Sequence, residues 1–149
     1  MEIERKYLVK ELPNLRTLQS ARIRQAYLFI TEDAELRLRE INGHYFATMK
    51  GRGTYQREEI ETQIAPKVFK TLWKHSHGCI VKERYIFPYA GHAIEIDIFK
   101  EKHEGLILAE IEFLNLEEYR QFVKPSFLGE DVTEYPQYQN RHLSQNAQP

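Results

Sequence analysis

The sequence predicts a mainly β domain with some α, built on an antiparallel sheet of eight strands with a few peripheral helices. Three observations predict it. Eight segments alternate polar with apolar residues and are rich in β-branched and aromatic side chains. Most of the connections between them are too short for the crossover that parallel neighbours need. Helical spacing of apolar residues appears only in brief stretches.

The strands fall near 2–9, 22–30, 35–42, 44–50, 56–63, 79–88, 92–99 and 106–113. Asn42-Gly43 between the third and fourth is a strong hairpin signal, and Ala90-Gly91 and Glu104-Gly105 are weaker ones. Between the fifth and sixth strands, residues 65–75 place Val68, Phe69, Leu72 and Trp73 at helical spacing behind Pro66, which suits a first turn. Phe69, Leu72 and Trp73 read as a stripe lying against the sheet. A second helix is expected over 116–123, ending before Pro125, and a short one over 13–20. The tail from about 144 is polar enough to fray.

The whole of 1–149 fits one domain able to bury its own core, with 42% hydrophobic residues and no interdomain linker. The net charge of -1, from 21 basic and 22 acidic residues, supplies no overall basic field for nucleic acid or a membrane surface. Any anion must be caught by a local cluster, and oligomeric state is left open between monomer and homodimer. A single cysteine, Cys79, excludes an internal disulfide, and no segment resembles a signal peptide or a spanning helix, so the expected home is a reducing cytoplasm.

The charges recur at i, i+2, which puts each set on one face of its strand. Glu2, Glu4 and Lys6 open the chain; Arg37 with Arg39, Arg57 with Glu59 and Glu61, Lys82 with Arg84, Glu95 with Asp97, and Glu110 with Glu112 follow. Lys50 closes the fourth strand before the Gly51-Arg52-Gly53 turn. One explanation is an ordinary sheet whose polar face is solvated. Against it, acids and bases are segregated by strand, and paired arginines are unusual on a surface. If the sets converge, they line a cavity with acidic and basic walls. Its natural occupant is a polyphosphate held by arginine forks, with a hard divalent ion on the carboxylates. Phosphoryl transfer depends on positioning and electrostatics, so the lack of a nucleophile motif is no objection.

These residues, in this order, resemble the CYTH superfamily, the triphosphate tunnel metalloenzymes, over nearly the whole chain. The opening Glu2-x-Glu4-x-Lys6 is similar to the family signature. Glu35-Leu-Arg-Leu-Arg39, Lys50-Gly51, Arg57-Glu58-Glu59-Ile60-Glu61, Lys82-x-Arg84-Tyr85, Glu95-Ile-Asp97 and Leu108-Ala-Glu-Ile-Glu112 follow in family order. Phe127-Leu128-Gly129, Val132-Thr133 and Tyr138-x-Asn140 resemble the tail of the short bacterial members. The resemblance implies a closed eight-stranded antiparallel barrel with the charged faces inward. It implies that Lys6, Arg37, Arg39, Lys50, Arg57, Lys82 and Arg84 clasp a triphosphate, while Glu2, Glu4, Glu110 and Glu112 hold Mg²⁺ or Mn²⁺. Glu59, Glu61, Glu95 and Asp97 would orient the cations or assist a second metal. Lys82 and Tyr27 match a lysine and tyrosine that help activate the attacking water. Glu2 directly follows Met1, where a metal ligand is prone to fray.

The activity implied is metal-dependent hydrolysis of inorganic triphosphate to phosphate and pyrophosphate, since so short a chain has little spare sequence to recognise an organic group. Other reactions of the superfamily are the alternative: adenylyl cyclisation, or nucleoside or thiamine triphosphatase activity. A noncatalytic polyphosphate binder is a further one, disfavoured because an anion binder gains nothing from four carboxylates without a metal. His75-Ser-His77-Gly-Cys79 lacks the second half of a zinc motif and reads as a polar helix end, a turn and a buried Cys. Lys100, Lys102 and His103 read as a solvated turn, and the nine tyrosines and eight phenylalanines read mainly as core.

Overall fold

In the computed structural model, which describes residues 1–149, the alternating segments become β1 (Glu2–Val9), β2 (Ser20–Ile30), β3 (Ala34–Ile41), β4 (His44–Gly51), β5 (Gln56–Arg57) and β6 (Glu59–Gln63). After α1 (Pro66–Trp73) come β7 (His77–Tyr89), β8 (His92–Phe99), β9 (Ile107–Glu112), α2 (Leu116–Gln121), β10 (Leu128–Asp131) and α3 (Asn140–Gln145). The predicted fifth strand is thus broken at Glu58 into β5 and β6, and β10 is an edge strand the alternation did not reveal. With only four residues, β10 is too short to show a period of its own.

All neighbours are antiparallel, in the order β10, β1, β9, β8, β7, β2, β3, β4, β6. The break at Glu58 completes the circuit. β6 pairs with β4, while β5 turns to pair with β1 at Glu2↔Arg57 and Ile3↔Gln56. Eight walls therefore close into a barrel, with the closure carried by two residue pairs. The Asn42-Gly43 hairpin has φ of 49° and 76°, and Ala90-Gly91 repeats it at 48° and 80°, the positive values that a two-residue type I′ turn requires.

Residues on one strand face their registered partners on the same side of the sheet, so a single parity runs round the barrel. Lys6↔Glu110, Glu95↔Glu110, Arg84↔Asp97, Ile23↔Lys82, Tyr27↔Arg37, Glu35↔Lys50, Lys50↔Glu59 and Glu2↔Arg57 share the inner face. The outward face of β1, β8 and β9 is the apolar one: Ile3, Tyr7, Ile94, Ile96, Ala109 and Ile111 are buried there. Tyr119 and Phe122, from α2 and the residue after it, pack on this cluster together with Phe127. Asn115 caps α2 by accepting a hydrogen bond from the Glu118 amide at 2.9 Å. On the other side of the barrel, α1 buries Phe69 against Tyr45 and Trp73, with ring centroids 4.6 and 5.2 Å away.

One end of the lumen is apolar. Ile80, Phe99 and Leu108 meet Val132 and Leu143, and α3 thereby caps that end. Gly78 permits the approach: it has φ of 70°, and a Cβ there would lie 2.5 Å from the Ser144 carbonyl.

The structure corrects four sequence expectations. Residues 13–20 form no helix; the Asn14 side chain accepts from the Arg16 amide at 3.0 Å, and the Leu18 amide closes a turn on Leu15 at 3.1 Å. Such local side-chain bonding competes with helix. The tail does not fray at 144, because Leu143 and Ser144 are buried in α3 and only the last residues are exposed. His103 is buried, its Nε2 set against the carbonyls of Leu143 and Asn146, while Lys102 donates to the Ser144 carbonyl at 3.1 Å. That turn latches α3. Cys79 is half-buried rather than buried.

Candidate active site

The inner face opposite the α3 cap encloses a cavity of about 390 Å³, within the range of small-molecule sites. Its walls are almost wholly charged: Glu2, Glu4, Arg37, Arg39, Lys50, Arg57, Glu59, Glu61, Arg84, Glu95, Glu110 and Glu112 all reach it. Lys6, Lys82, Asp97 and Tyr27, also singled out in the sequence, lie behind this lining.

On the β1 wall acids and bases interlock. Glu2 Oε1 accepts from Lys50 Nζ at 3.0 Å and lies 3.7 Å from Arg57 Nε; Arg57 Nη2 is 3.9 Å from Glu4. Lys6 donates to the Tyr138 carbonyl at 3.0 Å and lies 3.3 Å from Glu110. Burial opposes ionisation of Glu2, yet Lys50 and Arg57 hold its carboxyl below the ordinary range. Glu4 behaves in the opposite way. Burial, then Glu110 and Glu2, push it up to about 7. Burial and the Glu2 carboxyl raise Glu59 to about 7 as well, and burial with Glu2 raises Glu112.

On the far wall Arg84 is held by a fork: Nε and Nη2 donate to the two Asp97 oxygens at 2.7 and 2.9 Å, and Nη1 to Glu95 at 2.8 Å. Asp97 also takes Lys82 Nζ at 2.7 Å. Lys82 is fully buried over the Phe99 ring, and desolvation lowers it to about 8 despite Asp97. Tyr27 is buried beside a second pocket lined with His77, Gly78 and Ser144, within electrostatic reach of the Glu35 carboxylate. Burial and that carboxylate raise the phenol, which makes Tyr27 a donor rather than a base. No hydrogen bond joins Tyr27 to Lys82.

Arg37 and Arg39 differ from every other cavity cation in forming no ion pair; the Nε of each is buried without a hydrogen-bond partner, as is that of the ion-paired Arg57. Burial, then the positive charge of Arg37 and Arg84, lowers Arg39 to about 9. Two desolvated guanidiniums facing a cavity without counter-charge call for an anion.

The acidic oxygens suit a hard divalent cation. Glu2, Glu4, Glu110 and Glu112 line the cavity, and a cation would relieve the repulsion from Glu110 and Glu2 that adds to burial in pushing Glu4 to about 7. No three acidic, histidine or cysteine side chains form a closed protein cage. Mg²⁺ commonly needs none, since it is held by one or two carboxylates and by phosphate oxygens of its substrate. His75, His77 and Cys79 form no such group either.

Sequence reasoning missed three polar contributors. Glu35 is buried and takes Arg57 Nη1 at 3.2 Å; Thr48 donates to Glu61 at 3.1 Å; Asn140, at the start of α3, lines the cavity. The parity set by the Asn42-Gly43 hairpin puts Glu35 and Thr48 on the Arg37 face, and would have found the first two.

Over residues 1–126 the chain matches the CYTH domain. This protein belongs to the CYTH family. It is similar to a protein named inorganic triphosphatase from Nitrosomonas europaea, 39% identical over 146 residues that cover 96% of each chain. An inorganic triphosphatase from Acetivibrio thermocellus is 34% identical over 97% of this CYTH chain and 94% of its own. The crystal structure of an inorganic triphosphatase superposes with a TM-score of 0.73 at 36% identity, covering 100% of this chain and 97% of that one. No helix of this CYTH protein is long and apolar enough to cross a membrane.

Proposed function

We propose that this protein hydrolyses inorganic triphosphate to phosphate and pyrophosphate in a metal-dependent reaction inside the charged lumen. The observation that carries the reading is the pairing of two uncompensated arginines, Arg37 and Arg39, with Glu4 and Glu59, which burial first and neighbouring carboxylates second push up to about 7. Relatives named inorganic triphosphatase that match it over nearly their full length support the same choice.

In this assignment Arg37, Arg39 and Arg84 hold phosphoryl oxygens, joined by Lys6, Lys50 and Arg57 along the β1 wall. Glu2, Glu4, Glu110 and Glu112 would hold Mg²⁺ or Mn²⁺, and the ion would supply charge neutralisation and Lewis acidity toward the phosphoryl oxygens. Glu95 and Asp97 fix Arg84, while Glu59 and Glu61 border Lys50 and Thr48. Because it is already lowered to about 8, Lys82 is suited to accept a proton from the attacking water. Tyr27 acts through Glu35, which holds Arg57. The charged cavity presents no aromatic surface for a base or thiazolium ring, since its lining holds one apolar residue, Met1. The single free thiol, Cys79, fits a reducing cytoplasm as its location.

The deciding experiment compares phosphate release from inorganic triphosphate, ATP and thiamine triphosphate with Mg²⁺ or Mn²⁺, with EDTA as control. Preference for inorganic triphosphate is expected. Preference for an organic triphosphate would overturn the substrate assignment, and release in EDTA would overturn metal dependence.

A further inference from the structure

Gln25 is 0% exposed, and neither its amide nitrogen nor its amide oxygen has a hydrogen-bond partner. A buried amide left wholly unpaired is destabilising, because it has given up water without gaining a partner. The register shows where it points. Gln25 pairs with Arg39 on one side and with Ile80 on the other, and Ile23, two residues before it, pairs with Lys82. All share the inner face. Gln25 is therefore directly opposite Arg39, about 5 Å between Cβ atoms, and diagonal to Lys82, about 7–8 Å away. It sits at the boundary between the charged lumen and the apolar end formed by Ile80, Phe99 and Leu108.

Its neighbours are short of partners too. Arg39 Nε is buried and unpaired, and Lys82 Nζ touches Asp97 at 2.7 Å without a directed hydrogen bond. Two cations and an amide NH₂ offer donors, and the amide oxygen needs one. A phosphate oxygen accepts only and would leave that amide oxygen unmatched. Water meets both demands, accepting from Arg39 and donating to Gln25, with its second proton facing Lys82. Because both amide atoms are unpaired, the argument holds for either orientation of the side chain.

We propose that Gln25 holds the water that attacks the terminal phosphorus, its amide oxygen accepting one water proton as a hydrogen bond between Lys82 and Arg39. This assignment rests on the triphosphatase reading above. The water oxygen forms the new bond to phosphorus, the bridging P–O bond breaks, and its electron pair leaves with pyrophosphate. One proton of the water ends on the phosphate and the other on the pyrophosphate, the transferred one passing through Lys82. Gln25 itself exchanges no proton; it aims the oxygen lone pair.

The test is steady-state phosphate release from inorganic triphosphate at saturating Mg²⁺, with thermal midpoints, for the wild type, Gln25→Met, Gln25→Asn and Gln25→Glu. Gln25→Met matches the side chain in length and offers no hydrogen bond. It is expected to lower kcat about 10²-fold with KM within about twofold, and to leave the thermal midpoint unchanged or higher, since an unpaired amide has gone. Gln25→Asn withdraws the amide by one methylene, is expected to lose kcat likewise, and serves if the Met variant fails to fold. Gln25→Glu keeps an acceptor oxygen at the same reach and is expected to recover at least about tenfold of the loss. Unchanged kcat in Met and Asn variants, a loss confined to KM, or a Glu variant as slow as Met would overturn the assignment while the wild type remains active. A wild type inactive on triphosphate would instead overturn the triphosphatase reading and take this proposal with it.

Discussion

Glu4 and Glu112 stand directly opposite each other across the β1–β9 ladder, and the next pair inward is Lys6 with Glu110. Like charges facing across a ladder are destabilising, so this register carries a cost that a bound cation removes. Replacing Glu112 or Glu4 with Gln should therefore raise the thermal midpoint of metal-free protein and raise the Mg²⁺ concentration needed for half-maximal turnover about tenfold or more. A metal titration of activity checks this. A Glu112→Gln protein with wild-type Mg²⁺ dependence would remove Glu112 from the metal site.

Protonation gives the same strain a second readout. Glu4 and Glu59 titrate near 7 in the fold against 4.5 ordinarily, both through burial first and neighbouring carboxylates second. Between those values the folded protein holds the extra protons, so its stability falls as pH rises through that window. Glu2, Asp97 and Glu110 are shifted down, and their contribution is lost only below about 4.5. Metal-free protein should thus melt higher at pH 5.5 than at pH 7.5, by an amount equivalent to about 2 kcal/mol from the buried Glu4, with the half-exposed, solvent-screened Glu59 adding less. Calorimetry in two buffers should also show protons released when Mg²⁺ binds at pH 7. A flat melting profile over this range would contradict the burial of Glu4.

Arg39 has no carboxylate to release before it can take a phosphate, so its energy goes into binding. Arg39→Ala should raise KM for triphosphate about tenfold or more, as loss of a charged hydrogen bond of about 1.5–3 kcal/mol implies. KM of the wild type should also rise with ionic strength, and more steeply than that of the variant. An unchanged KM would exclude Arg39 from the phosphate site.

Asp97 is the only ion-pair partner of Lys82 and the bidentate partner of Arg84. Asp97→Asn leaves two buried cations short of charge, and should cost about 3–5 kcal/mol in denaturant unfolding. A loss below about 1 kcal/mol would mean that the pocket is wetter than its burial implies.

Leu143 is fully buried against Ile80, Phe99 and Leu108 and anchors α3 in the end of the barrel. Leu143→Ala should destabilise by about 2–5 kcal/mol. Because Asn140 on the same helix lines the cavity, kcat should fall as well at a temperature where the variant is still folded.

Much of this was legible in the chain because a strand has period two: Arg37 and Arg39, Glu95 and Asp97, or Glu110 and Glu112 must share a face once they lie in strands. The hairpin at Asn42-Gly43 was legible because few residues tolerate its positive φ. Family likeness added which face turns inward. Local pattern could not show α3 docking, since one Leu143 in a polar tail has no period, nor the His103 latch, whose partners lie 40 and 43 residues away. Individual charge states were hidden for the same reason. Glu2 and Glu4 are near neighbours in the chain, yet one is held below the ordinary range by Lys50 and the other pushed to about 7 by burial, Glu110 and Glu2. Residue types, strand parity and family were readable from the chain alone. Which polar groups are paired and which, like Arg37, Arg39 and Gln25, are left waiting for a guest became visible in the folded chain, because pairing depends on distances across strands far apart in the chain.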